Sequence, residues 1–341
     1  MSRSAVDDQL FNDPVDFLKN HTVLPPNAPK HLKWGVHMKA GQWEGQQQVG
    51  NTGRIAFGTL TPSALYPGGY DLEVEYANGT NEGKLLNWVP MWFLPWNSEK
   101  LVGIQITPKV PDRPTPTTRQ RANAVAAPPA NMLAKDPDLF FTAAINGCSV
   151  FVTGDPKAPR VYHGGTQEEY RDPTVAVAKW QTMFREVEPQ AFFGGDFSEV
   201  NKTHYVRARE SKKVKELQIT KSANTGGTNF RPLRDFVTDN SSQFKKYLKT
   251  AHVDSTGKSL VRVQRIMPFG CVFGKRAADG NWAFYLQESV KVIYTLASEV
   301  NGQIVLVGSN RVATRPICLS QIFPQGRHVA QYRQQFFQPL A

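Results

Sequence analysis

Two residues in the middle of the chain, Cys148 and His163, have side chains suited to nucleophilic chemistry. A cysteine attacks as its thiolate, so it needs a base or a positively charged neighbour, and histidine fills that role near neutral pH. The two are 163 − 148 = 15 residues apart, on apolar strand-like segments separated by a turn rich in Gly, Asp and Pro. Because adjacent strands bring residues side by side, we predict that the thiol meets the imidazole.

The residues next to this pair fit the same chemistry. Gly147 leaves room for a substrate to approach the sulfur, and a turn at Asn146 and Gly147 points backbone N–H groups toward a developing oxyanion. Gly164 opens the space beside the histidine. These three residues are therefore predicted to provide oxyanion stabilisation and substrate access.

The stretch TAAINGCSVFV, followed by VYHGG, resembles a motif of the deamidase superfamily that includes cytotoxic necrotizing factor toxins, Burkholderia lethal factor and chemoreceptor glutamine deamidases. In that superfamily a Gly-Cys at a strand end works with a histidine a short distance downstream. Some members carry a threonine six residues before the cysteine, and Thr142 stands at this position, since 148 − 142 = 6. The resemblance covers residues 139 to 167, and Asn146 replaces a serine that several members carry.

The resemblance implies a cysteine hydrolase that deamidates glutamine in a protein substrate, with Cys148 as nucleophile, His163 as base and Thr142 orienting the imidazole. It implies no metal or organic cofactor. It also implies a bacterial effector or toxin with a role in virulence, secreted or delivered into a target cell. Its substrate would be a host or rival protein, such as a GTPase or another signalling or translation protein. Proteases and transglutaminases use the same thiol chemistry, so the sequence does not separate them from deamidases.

The segments around the pair are mostly strand-like. Alternating or apolar patterns of this kind occur in YDLEVEYA, KLVGIQITPKV and LFFTAAINGCSVFVTG. Towards the end of the chain, three longer segments predict an antiparallel meander, with hairpin turns at Asp279-Gly280 and Asn301-Gly302.

Helical signals occur at several places in the chain. Residues 1 to about 20 suit a short amphipathic helix. A second helix is predicted between a cap at Asp172 and Pro189, with one apolar face made of Val177, Trp180, Phe184 and Val187. The predicted fold class is therefore α+β and mainly β: a central antiparallel β-sandwich with a few flanking helices, as in the deamidases.

Composition divides the chain into three regions. Residues 1–110 are predicted to form an N-terminal β-rich region compatible with the same sandwich. Residues 111–137, rich in Pro, Ala, Thr and Arg, are predicted to be an exposed linker or loop. Residues 138–341 are predicted to form the catalytic Cys-His region.

Charge and cysteine content limit the classes of partner. The net charge is +11, yet the densest basic group, at 207–221, lacks interleaved aromatic residues, so nucleic-acid binding is not favoured. The sequence has no long apolar run and no secretory signal, so we expect synthesis in the bacterial cytosol without a cleaved signal peptide. Three scattered cysteines argue against a disulfide framework, and Cys271 and Cys318 are interpreted as core residues. No histidine has metal-ligand spacing, so no metal is predicted.

Two functions of other classes remain open. The segment YHGGT at 162–166 is reminiscent of the nicotinamide-holding strand of ADP-ribosyltransferases, with Glu288 as a candidate glutamate. Alternatively, the chain is a non-enzymatic β-sandwich that binds a partner through exposed Trp88, Trp92 and Trp96. The first alternative requires NAD for activity, and the second requires Cys148 to be buried and unreactive.

Overall fold

The structure is a computed structural model that describes residues 3–30, 55–66, 68–76, 81–96, 100–108, 137–165, 173–201, 231–232, 259–300 and 303–324. Some predicted features lie outside these residues. They are the cap at Asp172, the turn at Asn301-Gly302, nearly all of the linker 111–137 and the basic segment 207–221.

The described part of the chain has five helices, which are α1 (Ala5–Asn12), α2 (Pro14–Asn20), α3 (Glu82–Leu85), α4 (Pro173–Val187) and α5 (Pro189–Gly194). The N-terminal residues form two helices rather than the one predicted, because Pro14 disfavours a helical conformation in the residue before it. Asp13, at this break, has a φ of −138°, and its carboxylate accepts a hydrogen bond from the backbone N–H of Asp16 at 2.9 Å. The second helix is therefore capped by the residue that ends the first.

Helix α4 confirms the prediction of a helix that ends before Pro189. Trp180 and Phe184 are fully buried, and Val177 and Val187 are half-buried. The apolar face predicted from the spacing is thus the face that packs against the protein.

The strands run from β1 to β13 in chain order. They are β1 (Thr22–Leu24), β2 (Ile55–Pro62), β3 (Gly69–Tyr76), β4 (Val89–Leu94), β5 (Leu101–Gln105), β6 (Leu139–Thr142), β7 (Ser149–Thr153), β8 (Arg160–Gly164), β9 (Phe197–Val200), β10 (Arg231–Pro232), β11 (Ser259–Arg276), β12 (Trp282–Val300) and β13 (Gln303–Phe323).

These strands form two sheets. The large sheet has the order β1-β3-β2-β4-β6-β11-β12-β13, with β10 paired to β11, and the small sheet has the order β5-β8-β7-β9. All pairs in the small sheet are antiparallel, whereas the large sheet is mixed because β1 pairs with β3, and β4 with β6, in parallel. The prediction of an α+β, mainly β fold is confirmed, with parallel pairs that the strand patterns did not indicate.

Three buried clusters hold these layers together. The first, called here the inter-sheet cluster, combines small-sheet residues with large-sheet residues, including Val102, Val150 and Val161 with Phe140, Val272 and Phe284. The second packs the helices α1 and α2 against the large sheet. The third, called here the helix-side cluster, packs α4 against the small sheet, and its members include Phe151, Tyr162, Trp180 and Phe184. Strands β5, β7 and β8 are therefore buried on both faces along most of their length, which explains why they are mostly apolar, whereas β9 alternates between buried and half-buried residues.

The predicted C-terminal meander is present. Strands β11, β12 and β13 pair consecutively and antiparallel along most of their length. At the turn between the first two, Gly280 has a φ of +87° and the carboxylate of Asp279 accepts the N–H of Asn281 at 2.9 Å. Glycine tolerates this left-handed conformation without the strain that a side chain would add.

Strands from both sides of segment 111–137 share the two sheets. In the large sheet β4 pairs with β6, and in the small sheet β5 pairs with β8. The N-terminal strands β4 and β5 therefore pair with the two strands next to the candidate site. These are β6, which precedes Cys148 in the chain, and β8, which carries His163.

Candidate functional site

Cys148 lies at the end of a turn that joins the two sheets. At the start of this turn Ile145 exchanges two backbone hydrogen bonds with Gly270 of β11, at 2.7 and 3.0 Å. Gly147 has a φ of +116° and is buried, and a Cβ placed on it would meet no described residue within 4 Å other than its two chain neighbours. Asn146 is exposed. The cysteine thus stands directly before β7, and the exposed residue of the turn leading to it is Asn146.

His163 lies on β8, in the middle of the small sheet. The strand register sets it opposite Val102 of β5 on one side and Val150 of β7 on the other. Cys148 precedes Val150 by two residues, and it packs in the inter-sheet cluster with Val102 and Val150. Because alternate residues of a strand share a face, Cys148 and His163 belong to the same face of the sheet, as diagonal neighbours on adjacent chain segments.

Both residues are buried. Cys148 is 3% exposed and His163 is 0% exposed. Neither ring nitrogen of His163 has a hydrogen-bond partner among the residues that the structure describes, so the thiol of Cys148 does not hydrogen-bond to the imidazole in this conformation. Burial lowers the pKa of His163 from its ordinary 6.5 to about 3, since an apolar environment disfavours the charged ring. The imidazole is therefore neutral at pH 7, and a thiolate–imidazolium ion pair is absent from this conformation.

Thr142 is not hydrogen-bonded to His163. It ends β6 in the large sheet, where its hydroxyl donates to the carbonyl of Ala143 at 2.9 Å and accepts the backbone N–H of Val272 at 3.2 Å. A hydroxyl has one proton to donate, and here the proton goes to a backbone carbonyl. In this conformation Thr142 links β6 to β11 and does not orient the imidazole.

Gly164 lies beneath the indole of Trp180. A Cβ at this position would lie 2.5 Å from Cδ2 of that indole, so the space beside the glycine is filled. Along β8, Tyr162 and Gly164 face α4, whereas Val161 and His163 face the inter-sheet cluster. Of the three residues predicted to provide oxyanion stabilisation and substrate access, Asn146 is exposed, whereas Gly147 and Gly164 are buried.

The other candidate residues are separate from the pair. Cys271 is buried in β11, where its thiol donates a weak hydrogen bond to Oε1 of Gln287 at 3.9 Å, and burial raises its pKa to about 12. This agrees with its interpretation as a core residue. Cys318 pairs with Glu288 in the large sheet, and Glu288 is 4% exposed. The histidine and the glutamate of the ADP-ribosyltransferase alternative thus lie in different sheets.

Among the described residues, no three His, Cys, Asp or Glu side chains are grouped so that they could hold a metal ion. In the same part of the chain no helix is both long and apolar enough to cross a membrane. Trp88, Trp92 and Trp96 are half-buried rather than exposed, and the last two pack against the inter-sheet cluster.

A buried polar network on β8 was not predicted from the sequence. Glu188, between α4 and α5, accepts hydrogen bonds from the hydroxyl of Tyr162 and from Nη2 of Arg160, the latter at 2.9 Å. Nε of Arg160 lies 2.8 Å from the second carboxylate oxygen. Burial raises the pKa of Tyr162, and the hydrogen bond to Glu188 raises it further. The available signal was the spacing of Arg160 and Tyr162, which puts both on one face of a strand.

A pocket of about 730 Å³ lies away from Cys148. It is lined by Thr153 and Gly154 after β7, Arg160 at the start of β8, and residues of α5, β9 and the end of β13. Cys148 precedes the first residue of β7, so it lies at the other end of that strand, roughly 17 Å away at the usual rise per residue. This cavity does not contain the Cys-His pair.

No family model matches the chain, and no curated protein matches it. Among solved structures, the C-terminal domain of CNFy from Yersinia pseudotuberculosis is similar at 12% identity and a TM-score of 0.28, over 92% of this chain and 97% of that one. A TM-score this low reflects limited correspondence of the backbones.

Proposed function

We propose that the protein is a cysteine-dependent protein glutamine deamidase in which Cys148 is the nucleophile and His163 the general base. One observation carries the proposal. The strand register sets Val150 opposite His163, and Cys148 shares the inter-sheet cluster with Val150, so the thiol and the imidazole belong to one face of the small sheet. The resemblance of Gly-Cys followed by Tyr-His-Gly-Gly to the deamidase motif supports the assignment of glutamine as the substrate group, and Asn146 is the position at which the chain departs from that motif.

The proposed reaction has two acyl-transfer steps. His163 accepts the thiol proton as Sγ of Cys148 attacks the side-chain amide carbon of a glutamine. The imidazolium then gives this proton to the amide nitrogen, and the C–N bond breaks so that the nitrogen leaves as ammonia. Water then attacks the thioester while His163 accepts its proton, and that proton passes to the departing sulfur. The net change is glutamine and water to glutamate and ammonia, with no cofactor.

The turn before Cys148 is the proposed substrate entrance. Asn146 is exposed whereas Gly147 and Cys148 are buried, so the proposed approach of a substrate side chain to the sulfur begins at Asn146 and requires the turn to open. Backbone N–H groups of a turn can stabilise an oxyanion that develops next to the nucleophile. In this proposal Thr142 supports the pair indirectly, by joining β6 to β11, rather than by touching the imidazole.

The proposed mechanism includes an opening step before attack. His163 is 0% exposed and its pKa is lowered to about 3, which makes it a weak base while it is buried. Partial hydration raises the pKa of a buried histidine toward its ordinary range and strengthens it as a base. Catalytic hydrogen bonds are often absent from unliganded enzymes and form when the substrate binds.

The wider assignment follows from the same proposal. The two sheets, with the inter-sheet cluster between them, would be the layers of a deamidase-type β-sandwich. The protein would be a bacterial effector or toxin that is delivered into a target cell. Its substrate would be a folded protein, such as a GTPase or a translation protein.

Peptide mapping tests the proposed function. Purified GTPases and translation factors are incubated with the wild-type protein, with Cys148→Ala or with Cys271→Ala, a matched variant of a cysteine that is also buried. A mass gain of about one unit at a glutamine is expected with the wild type and with Cys271→Ala, and not with Cys148→Ala, because the acyl enzyme needs the thiol. Equal modification by Cys148→Ala would refute the assignment of the nucleophile.

The burial of the pair favours a second candidate, a non-enzymatic β-sandwich protein that binds a partner. In this candidate Cys148, at 3% exposure, is a core residue like Cys271, at 1%. Iodoacetamide treatment of the native protein separates the two candidates, and Cys271 is the control within the same chain. Faster alkylation of Cys148 supports the enzyme, whereas alkylation of both cysteines only after unfolding supports the binding protein.

A further inference from the structure

Helix α4 lies along β8, the strand that carries His163. Its residues Trp180, Phe184 and Glu188, the last just beyond the helix, are spaced by four and meet β8 at successive points. Four helical residues span about 6.0 Å. Two strand residues span about 6.6 Å. Each turn of the helix therefore lies over every second residue of the strand, at Gly164, Tyr162 and Arg160.

The middle contact joins α4 to two strands at once. The ring of Phe184 meets Tyr162 of β8 edge-on, with centroids 5.4 Å apart. It also stacks on Phe151 of β7, with centroids 4.4 Å apart and an interplanar angle of 4°. Phe151 and Tyr162 are partners in the strand register. Through Phe184 the helix therefore contacts both β7, the strand that follows Cys148, and β8, the strand that carries His163.

The contact nearest to His163 is the one between Trp180 and Gly164. The indole is 0% exposed, and a Cβ on Gly164 would lie 2.5 Å from Cδ2 and 2.8 Å from Cγ. Only a residue without a side chain allows the indole to reach the backbone of β8 here. This contact sets the position of the peptide unit that directly follows His163.

We propose that Trp180 is a positioning residue for the Cys-His pair: its indole, seated on the backbone at Gly164, holds β8 so that His163 stays in the inter-sheet cluster beside Cys148. The inference rests on the proposed function, in which His163 is the base. The indole acts from the opposite face of the sheet and does not touch the imidazole, because Gly164 and His163 point to opposite faces.

Removal of the indole should let β8 move and water reach His163. The test follows the ring signals of His163 by NMR from pH 7 to about pH 2 in the wild type, in Trp180→Ala and in Phe93→Ala. Phe93 is also 0% exposed but lies in the cluster on α1 and α2, so its variant controls for a general loss of core packing. In Trp180→Ala we expect the titration midpoint of His163 to rise by at least about one pH unit as the ring becomes hydrated. An unchanged midpoint in Trp180→Ala, or the same rise in Phe93→Ala, would overturn the inference.

A second pair of variants keeps the test decisive if Trp180→Ala does not fold. Gly164→Ala adds one methyl group against the indole and should shift the His163 signals. Trp180→Phe keeps an aromatic ring at this position but removes the indole that contacts the backbone at Gly164, and it should shift the same His163 signals. Unchanged His163 signals in both variants would overturn the contact as the cause.

Enzyme kinetics distinguish failure of the inference from failure of the proposed function. If a glutamine substrate is found, Trp180→Ala should lower kcat at least about tenfold with little change in KM, since the indole orients the base and does not bind substrate. Absence of deamidation by the wild type refutes the proposed function alone. In that case the NMR titration still decides whether Trp180 positions His163.

Discussion

At the residue scale, the environment of His163 links the candidate site to stability. The ring is buried among apolar side chains, its nitrogens have no hydrogen-bond partner in the part of the chain that the structure describes, and its pKa is lowered to about 3. In the unfolded chain the same ring titrates near 6.5. The unfolded state therefore binds a proton below pH 6.5 that the folded state does not bind.

This difference predicts a loss of stability in acid. The contribution of His163 to the free energy of unfolding is fully present above about pH 6.5. It falls by roughly 1.4 kcal/mol per pH unit as the pH decreases toward 3. Urea unfolding of the wild type and of His163→Leu between pH 7 and pH 5 measures it. We expect the variant to lose less stability than the wild type over this range. Parallel pH dependences would show that His163 is hydrated in the native protein.

A second residue-scale prediction concerns Gly147. Its φ of +116° is a conformation that side chains disfavour, although a Cβ there would meet nothing within 4 Å. Gly147→Ala should therefore cost about 1 kcal/mol or more through the backbone alone. Gly83, in helix α3, has equally open space without this φ, and Gly83→Ala should be neutral or stabilising by about 0.5–1 kcal/mol. Thermal unfolding of the two variants tests the contrast.

At the element scale, the junction of α4 and α5 is held on β8 by Glu188. Its carboxylate accepts from Tyr162 and Arg160, and it is 6% exposed. Removal of the carboxylate would leave a buried hydroxyl and a half-buried guanidinium without this partner. Loss of the Glu188 contact should therefore also weaken the contacts that Trp180 and Phe184 make with β8.

Glu188→Ala is expected to lower the free energy of unfolding by about 2–4 kcal/mol, because polar groups that lose a partner in the interior keep their desolvation cost. The control is Asp8→Ala, which removes a surface pair with Arg3 at 3.5 Å, where Asp8 has a side-chain exposure of 52%. This variant should change stability by less than about 1 kcal/mol. Equal effects in denaturant titrations would contradict the structural role given to Glu188.

At the scale of the whole molecule, Gln287 ties the N-terminal helices to the C-terminal meander. It is 0% exposed in β12, and its Nε2 donates to the carbonyls of Leu18 at 2.6 Å and His21 at 2.7 Å. Its Oε1 accepts the N–H of Val23 at 3.2 Å. The two ends of the described chain are therefore joined by one amide that satisfies three backbone groups.

Gln287→Leu should destabilise the protein by about 2–4 kcal/mol, since these buried backbone groups lose their partner. Gln321→Leu is the matched variant, because the amide of Gln321 is half-buried and makes only long contacts, at 3.5 Å to Phe323 and 3.4 Å to Pro324. The midpoint of urea unfolding should fall clearly in the first variant and little in the second. Similar midpoints would contradict the role given to Gln287 in holding the N-terminal helices.

Local patterns in the sequence determined much of the architecture. Apolar runs predicted the strands that carry Cys148 and His163, the spacing of Trp180 and Phe184 predicted α4, and Asp279-Gly280 predicted a hairpin turn. Such features depend on residues close together in the chain, so period and turn chemistry are sufficient to identify them. The parallel pairing of β4 with β6 was not predicted, since it joins strands separated by a long connection.

Only the tertiary structure decided how the candidate site is surrounded. The hydroxyl of Thr142 accepts a hydrogen bond from the N–H of Val272, 130 residues away. The indole of Trp180 fills the space at Gly164, and His163 is buried between the two sheets. Each of these facts arises from a contact between elements that are distant in sequence. Burial and hydrogen-bond partners, which set the pKa and the access of a catalytic group, depend on such contacts, whereas the spacing of a motif does not.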